Sequence, residues 1–274
     1  MVQLDRRLNR PHAEIAYVDL RTAAPETAVC AAVVLLHGAG MDHSMWSVQA
    51  EALRDAGYRV IVWDMRGHGA SSLAEATPFT GQDALADLDA LLDACGVPRA
   101  TLVGHSIGGN LAQEYARMHP GRVAGVVAVD STWNAGPLTA FERFALRLAA
   151  PSLRLIPART LPGLMARASA ITPEAVERTE AVFARMPKPR FLEVWGAAVS
   201  FVAPDPGYRS PVPLALIRGE QDATGNIASA MRAWAEFEGV DEHVVSNAGH
   251  IVTWDAPEET TETLLRVLGD EEAA

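Results

Sequence analysis

The sequence predicts an α/β fold, a mostly parallel sheet flanked by helices, and three observations carry that prediction. Apolar runs at 31–36, 60–63, 101–103 and 126–129 are nearly uninterrupted, as strands buried on both faces require. Helical patterns separate them, in the strand–helix order that builds a parallel sheet. The same rhythm resumes after a break spanning 131–213.

Each element follows in order. Residues 1–10 are charged and read as a helix-poor arm, and 13–20 mixes apolar and polar residues as an opening strand would. The strand at 31–36 ends at His37-Gly38-Ala39-Gly40. A helix over 46–56 is closed by Gly57, and the strand at 60–63 leads into the glycine-rich turn from Asp64 to Ser71. Thr80-Gly81-Gln82-Asp83 resembles a capping box, in which a hydroxyl and a side chain three residues on satisfy free amides. Behind it, Leu85, Leu88, Leu91 and Leu92 share one helical face. The strand at 101–103 is followed by Gly104-His105-Ser106-Ile107-Gly108 and a helix ended by His119-Pro120-Gly121. After the strand at 126–129, no run in 131–213 reads as a buried strand. Eleven of the seventeen prolines lie there and divide the segment into short helical pieces. Strands at 214–217 and 242–245 then alternate with helices at 228–238 and 258–268, and 269–274 reads as a frayed tail.

Composition excludes several classes. A net charge of −11 argues against nucleic acid, whose phosphates need a basic face, and gives no attraction to an anionic membrane. The longest apolar runs are too short to span a bilayer, and the amino terminus lacks the apolar stretch of a signal peptide. Two cysteines, Cys30 and Cys95, form no framework, which fits a reducing cytoplasm. No His/Cys/Asp spacing has the pattern of a metal site, and Gly38, Gly40, Gly67 and Gly69 make no dinucleotide fingerprint, so neither metal nor cofactor is expected.

The chemistry centres on Ser106. A serine between a strand and a helix, with glycine two residues before and after, sits on a turn too crowded for a Cβ at those flanks. The helix start beneath it favours developing negative charge. Such a hydroxyl needs a base, and His250 follows the last strand in Asn247-Ala248-Gly249-His250. The base needs a carboxylate to orient it, and Asp222 follows the strand at 214–217. Asp130, at the end of the strand at 126–129, is the second candidate acid.

Taken together and in this order, His37-Gly38, Asp64-x-Arg66-Gly67-x-Gly69-x-Ser71, the serine turn, His119-Pro120-x-Arg122-Val123, Gly219-x-x-Asp222 and Gly249-His250 resemble the α/β-hydrolase superfamily, over nearly the whole chain apart from the middle segment. The resemblance implies an α/β-hydrolase core at 1–130 and 214–274, with a helical lid, or cap, at 131–213 inserted after the sixth strand. It also implies an oxyanion hole made by the backbone N–H groups of Ala39 and Ile107. The second is physically sensible, because a helix's first amide has no partner inside the helix. Relatives that open epoxides or dehalogenate alkanes carry an aspartate where this chain has Ser106. One departure is the stretch from Asp222 to Ile227, which lacks the proline that relatives often place there.

The expected activity is therefore that of a serine hydrolase, esterase-like (EC 3.1), acting on a small-molecule carboxylic ester, lactone or thioester with an apolar portion. Carbon–carbon bond hydrolysis, lyase chemistry, acyl transfer and non-catalytic ligand binding by a receptor remain open on the same triad. Met41, Trp133, Phe141 and Trp195 are candidates for the substrate pocket, with Phe144, Phe183 and Phe191 beside them. His43, His68, His105 and His119 read as structural or solvent-facing.

Overall fold

A computed structural model describes residues 2–21, 32–140, 142–143 and 152–273 of the 274-residue chain. Cys30, Phe141 and Phe144 lie outside the described residues.

Nine strands form one sheet among the described residues: β1 (Arg6–Arg10), β2 (Ala13–Leu20), β3 (Ala32–Leu36), β4 (Val60–Trp63), β5 (Ser72–Leu73), β6 (Ala100–His105), β7 (Val123–Val129), β8 (Leu214–Gly219) and β9 (Glu242–Val245). Their spatial order is β1-β2-β4-β3-β6-β7-β8-β9, with β5 paired to β2. From β4 to β9 every pairing is parallel, while β1, β2 and β5 pair antiparallel. Strand succession runs outward in opposite directions from the β3–β6 neighbours. Such a switch point opens a crevice at the carboxyl ends of the strands.

Period-two alternation distributes the apolar strands between two cores. Val33 and Leu35 of β3 face one side, with Trp46, with Leu53 of α1 (Ser47–Asp55), and with Leu264 and Leu268 of α9 (Pro257–Ala273). Val34 and Leu36 face the other, with Leu88 and Leu92 of α2 (Gly81–Ala94) and Leu111 and Tyr115 of α3 (Ile107–Met118). Thr80 does cap α2, accepting from the Asp83 amide at 3.1 Å. On the second face a buried ion pair joins Arg66 to Asp87 through two contacts of 2.7 Å.

Two expectations at the termini need correction. Residues 6–10 are not an arm but the edge strand β1, in antiparallel register with β2. Its three arginines and exposed positions mark a solvated edge, which the absence of an apolar run concealed. The tail is not frayed from 269, because α9 continues to Ala273.

Leaving out the two-residue β5, the middle segment follows the sixth strand. Its described residues hold α4 (Leu161–Ser169), α5 (Pro173–Phe183) and α6 (Lys188–Ser200), and no strand. Proline stands in the first turn of all three, where its missing N–H costs nothing. Between β8 and β9 lies α7 (Ile227–Glu238), closed by left-handed Gly239, and α8 (Val252–Asp255) precedes α9. Among the described residues no helix is long and apolar enough to cross a membrane.

Candidate active site

Ser106 ends β6 and begins α3 with φ +54°, a left-handed conformation that non-glycine residues rarely adopt. The turn holds because its flanks are packed solid. A Cβ on Gly104 would lie 2.3 Å from the Gly108 carbonyl oxygen, and one on Gly108 would lie 2.4 Å from that of Leu36. The Ser106 amide donates to Val129 and its carbonyl accepts from Ser131 Oγ at 2.8 Å, so β7 supports the turn from below.

His250 lies in the loop after β9, and its Nδ1–H donates to Asp222 Oδ2 at 3.0 Å. Asp222 follows β8, and its other oxygen accepts the Thr224 amide at 2.8 Å. Burial pushes the Asp222 carboxyl up, but the facing His250 ring and Thr224 outweigh it, so the group is held well below the usual carboxylate range. The missing proline therefore does not displace the Asp222 carboxylate, which the Thr224 amide holds facing His250. Ser106 and His250 line one cavity, and among the hydrogen bonds of the described residues none joins their side chains.

His105, expected to be structural or exposed, is buried against His250 with ring centroids 4.7 Å apart. Its Nε2 lies 2.7 Å from the His250 carbonyl oxygen, which only an N–H can approach, so Nε2 carries the proton. Burial and the neighbouring His250 lower the His105 ring to about 3, keeping it neutral.

The amides of Ala39 and Ile107 have no backbone acceptor among the described residues. The loop carrying Ala39 is fixed by His37, whose Nδ1–H donates to the Gly38 carbonyl and whose Nε2 accepts from the Met65 amide. Gly40 in that loop is covered by the middle segment: a Cβ there would lie 2.7 Å from the Phe183 ring and 3.1 Å from that of Phe191.

The cavity has a volume of about 150 Å³. Met41 and Trp195 line it as expected, as do Phe183 and Phe191. Trp133 does not. It stacks on Trp234 at 6.3 Å and abuts Phe237, in a separate cluster over β8 and α7. Its place beside the middle segment predicts a lining role; the chain after β7 sends the ring toward α7 instead. Ala198, Val199 and Val202 were missed, yet with Phe191 and Trp195 they follow the helical spacing of one face, a signal present in the sequence. Among the described residues no Lys, Arg, Asp or Glu lines the cavity.

The middle segment is tied to the loop that carries His250. Asp255 accepts the amides of Ile171, Thr172 and Gly249, and the Ile251 amide donates to the Ser169 carbonyl.

The fold also gathers three groups with metal-ligating chemistry that sequence spacing had not brought together. Asp130, Asp222 and His250 each present a donor atom within 4.8 Å of the others. His250 and Asp222 are already paired with each other, and Asp130 Oδ1 accepts the Gly219 amide at 2.8 Å.

A mostly parallel sheet with a serine turn at its switch point and a histidine–aspartate pair beside it defines an α/β-hydrolase type of protein. The chain belongs to the alpha/beta hydrolase fold family, whose model matches residues 31–257. It is 28% identical over 250 residues to a 2-hydroxy-6-oxononadienedioate/2-hydroxy-6-oxononatrienedioate hydrolase from Paraburkholderia phymatum, covering 86% of each chain. It is 33% identical over 187 residues to an epoxide hydrolase from Caballeronia sordidicola, covering 61% of this chain and 56% of that one. The chain thus spans about half the length of the first curated relatives it matches. A thermophilic esterase from Thermogutta terrifontis superposes with a TM-score of 0.76 at 26% identity, covering 94% of both chains.

Proposed function

We propose that this chain is a serine hydrolase that cleaves a small, neutral carboxylic ester, lactone or thioester through an acyl-enzyme on Ser106. One observation carries the reading: Ser106 on its left-handed turn and His250, oriented by Asp222, open onto one cavity that no Lys, Arg, Asp or Glu lines among the described residues. His250 Nε2 takes the Ser106 proton as the hydroxyl attacks the carbonyl carbon. The amides of Ala39 and Ile107 receive the oxyanion. His250 then protonates the leaving group and activates the water that releases the acid. Every proton transfer is assigned to His250, and the reading calls on no metal or cofactor. Helices α4 to α6 act as a cap over this site, on the core of 1–130 and 214–274. A cytoplasmic setting belongs to the same reading, from the cysteine usage.

The uncharged lining supports a neutral substrate. A carboxylate group placed there would lose water and meet no cationic side chain among the described residues. The cavity supports an acyl or alkyl portion that is apolar and compact.

The test is labelling of the purified protein by a fluorophosphonate probe beside Ser106→Ala, followed by hydrolysis of short-chain nitrophenyl esters. Labelling and hydrolysis that both disappear in the variant are expected. A folded wild type that takes no label, or a variant that keeps its hydrolysis, overturns the reading. Carbon–carbon bond hydrolysis is the second reading, favoured by the 86% coverage of the Paraburkholderia relative. A vinylogous diketone assayed beside the ester separates the two.

A further inference from the structure

We propose that Asp130 carries a proton and donates it in a hydrogen bond to Asp222, so that a neutral carboxylic acid stands behind the His250–Asp222 pair as a positioning residue. This rests on the reading of Ser106, His250 and Asp222 as the catalytic groups.

The geometry leaves Asp130 little freedom. It follows β7 with φ +43° and is wholly buried. Its amide donates to the Ile217 carbonyl at 2.9 Å, and its Oδ1 accepts the Gly219 amide at 2.8 Å. Both contacts are to β8, the strand that delivers Asp222. The remaining oxygen, Oδ2, is buried without a donor among the described residues. As part of a carboxylate it would be an acceptor stripped of water and given nothing in return. As a hydroxyl it becomes a donor, and Asp222 is the neighbouring acceptor, with one carboxyl oxygen of each aspartate and one His250 ring nitrogen all within 4.8 Å of one another.

Two carboxyl groups facing each other in a buried site cannot both keep their charge. The proton settles where ionisation is least supported. Asp222 has the His250 N–H and the Thr224 amide; Asp130 has one amide. The groups facing Asp130 are Asp222, His250 and Arg218, and the Arg218 guanidinium is already engaged by Glu242 at 2.9 Å and by the Gly219 carbonyl. Burial, with Asp222 adding to it, pushes the Asp130 carboxyl well above the ordinary range, against the opposing pull of the Gly219 amide and Arg218. The donated proton fixes the Asp222 rotamer and draws part of its charge away from His250.

The test compares wild type with Asp130→Asn and Asp130→Leu. Asparagine keeps a neutral donor toward Asp222 and an acceptor for Gly219, so kcat/KM should stay within about threefold, and the acid limb of its pH profile should not move. Leucine removes the donor. Its kcat should fall about tenfold or more with little change in KM, and the acid limb should move up, because the unshared Asp222 charge holds the imidazolium more firmly. An asparagine variant whose acid limb moves down overturns the proposal, since that follows from removing a real negative charge. So does a leucine variant that is fully active. Infrared spectroscopy reads the proton without any turnover. A carboxylic-acid C=O stretch present in wild type near pH 8 and absent in Asp130→Asn supports the proposal; no such band overturns it. If fluorophosphonate fails to label wild type, the catalytic reading falls, while the infrared band still decides where the proton is.

Discussion

His105 donates from Nε2 to the backbone carbonyl of His250 across 2.7 Å, so the residue immediately before the serine holds the loop of the histidine. One turn of chain therefore sets both residues of the proposed proton transfer. His105→Phe keeps a ring against His250 and deletes the donor. It should lower kcat/KM by about fivefold to tenfold, the worth of one buried hydrogen bond. Steady-state kinetics on a short-chain ester check this, and unchanged values would mean that other contacts hold the carbonyl.

Asp222 and Asp130 bias stability in opposite directions. The folded Asp222 carboxyl sits below the unfolded value of about 3.9, so its contribution is present above that value and lost as pH falls toward the folded one. The gap in melting temperature between wild type and Asp222→Asn should therefore be widest at neutral pH and close in acid. The folded Asp130 carboxyl sits above the same unfolded value, so the unfolded chain releases its proton first as pH rises. Asp130→Asn should gain stability relative to wild type as pH climbs beyond about 4. Thermal unfolding of the three proteins across pH checks both signs. In kinetics, Asp222→Asn should cost about 10⁴-fold in kcat, the scale seen when a triad imidazole loses its orienting carboxylate.

Asp255 collects three amides from two places, Ile171 and Thr172 on one side and Gly249 on the other. Asp255→Ala strands all three and should cost about 2–3 kcal/mol, measured by denaturant unfolding. Because Gly249 precedes His250, kcat for ester cleavage should fall with it.

Arg66 and Asp87 form an ion pair buried on both sides. Asp87→Ala leaves the guanidinium only the more exposed Asp83, 3.4 Å away, and should destabilise the chain by about 2–4 kcal/mol. Replacing both with apolar residues of similar volume should recover most of that loss, which a double-mutant cycle measures.

The central strands were legible because burial on both faces writes them as unbroken apolar runs, as in Ala32–Leu36 and Val123–Val129. The serine turn was legible for a different reason: close packing forbids a Cβ at Gly104 and Gly108, and glycine is conspicuous. Edge strand β1 was not, since a solvated edge needs no apolar face and its pairing is made by backbone atoms. Nor was the direction of Trp133, which depends on a three-residue turn meeting Trp234 about a hundred residues later; long-range packing leaves no local trace. The gathering of Asp130 with Asp222 is of the same kind. Adjacent parallel strands β7 and β8 place their ends side by side, and neither residue's neighbours in sequence announce it.

The rings of Phe183 and Phe191 rest on Gly40, one residue from the amide assigned to the oxyanion. A protein so arranged cannot easily evolve selectivity and speed one at a time. Under the proposed function, trimming either ring to admit a bulkier acyl group also releases the loop assigned to the oxyanion, so each gain in scope invites a loss in turnover. New specificities should then arrive as linked changes, one widening the chamber and another restoring the loop. Directed-evolution libraries that vary these two rings together with residues 38–41 would sample such pairs, where scanning single positions would not.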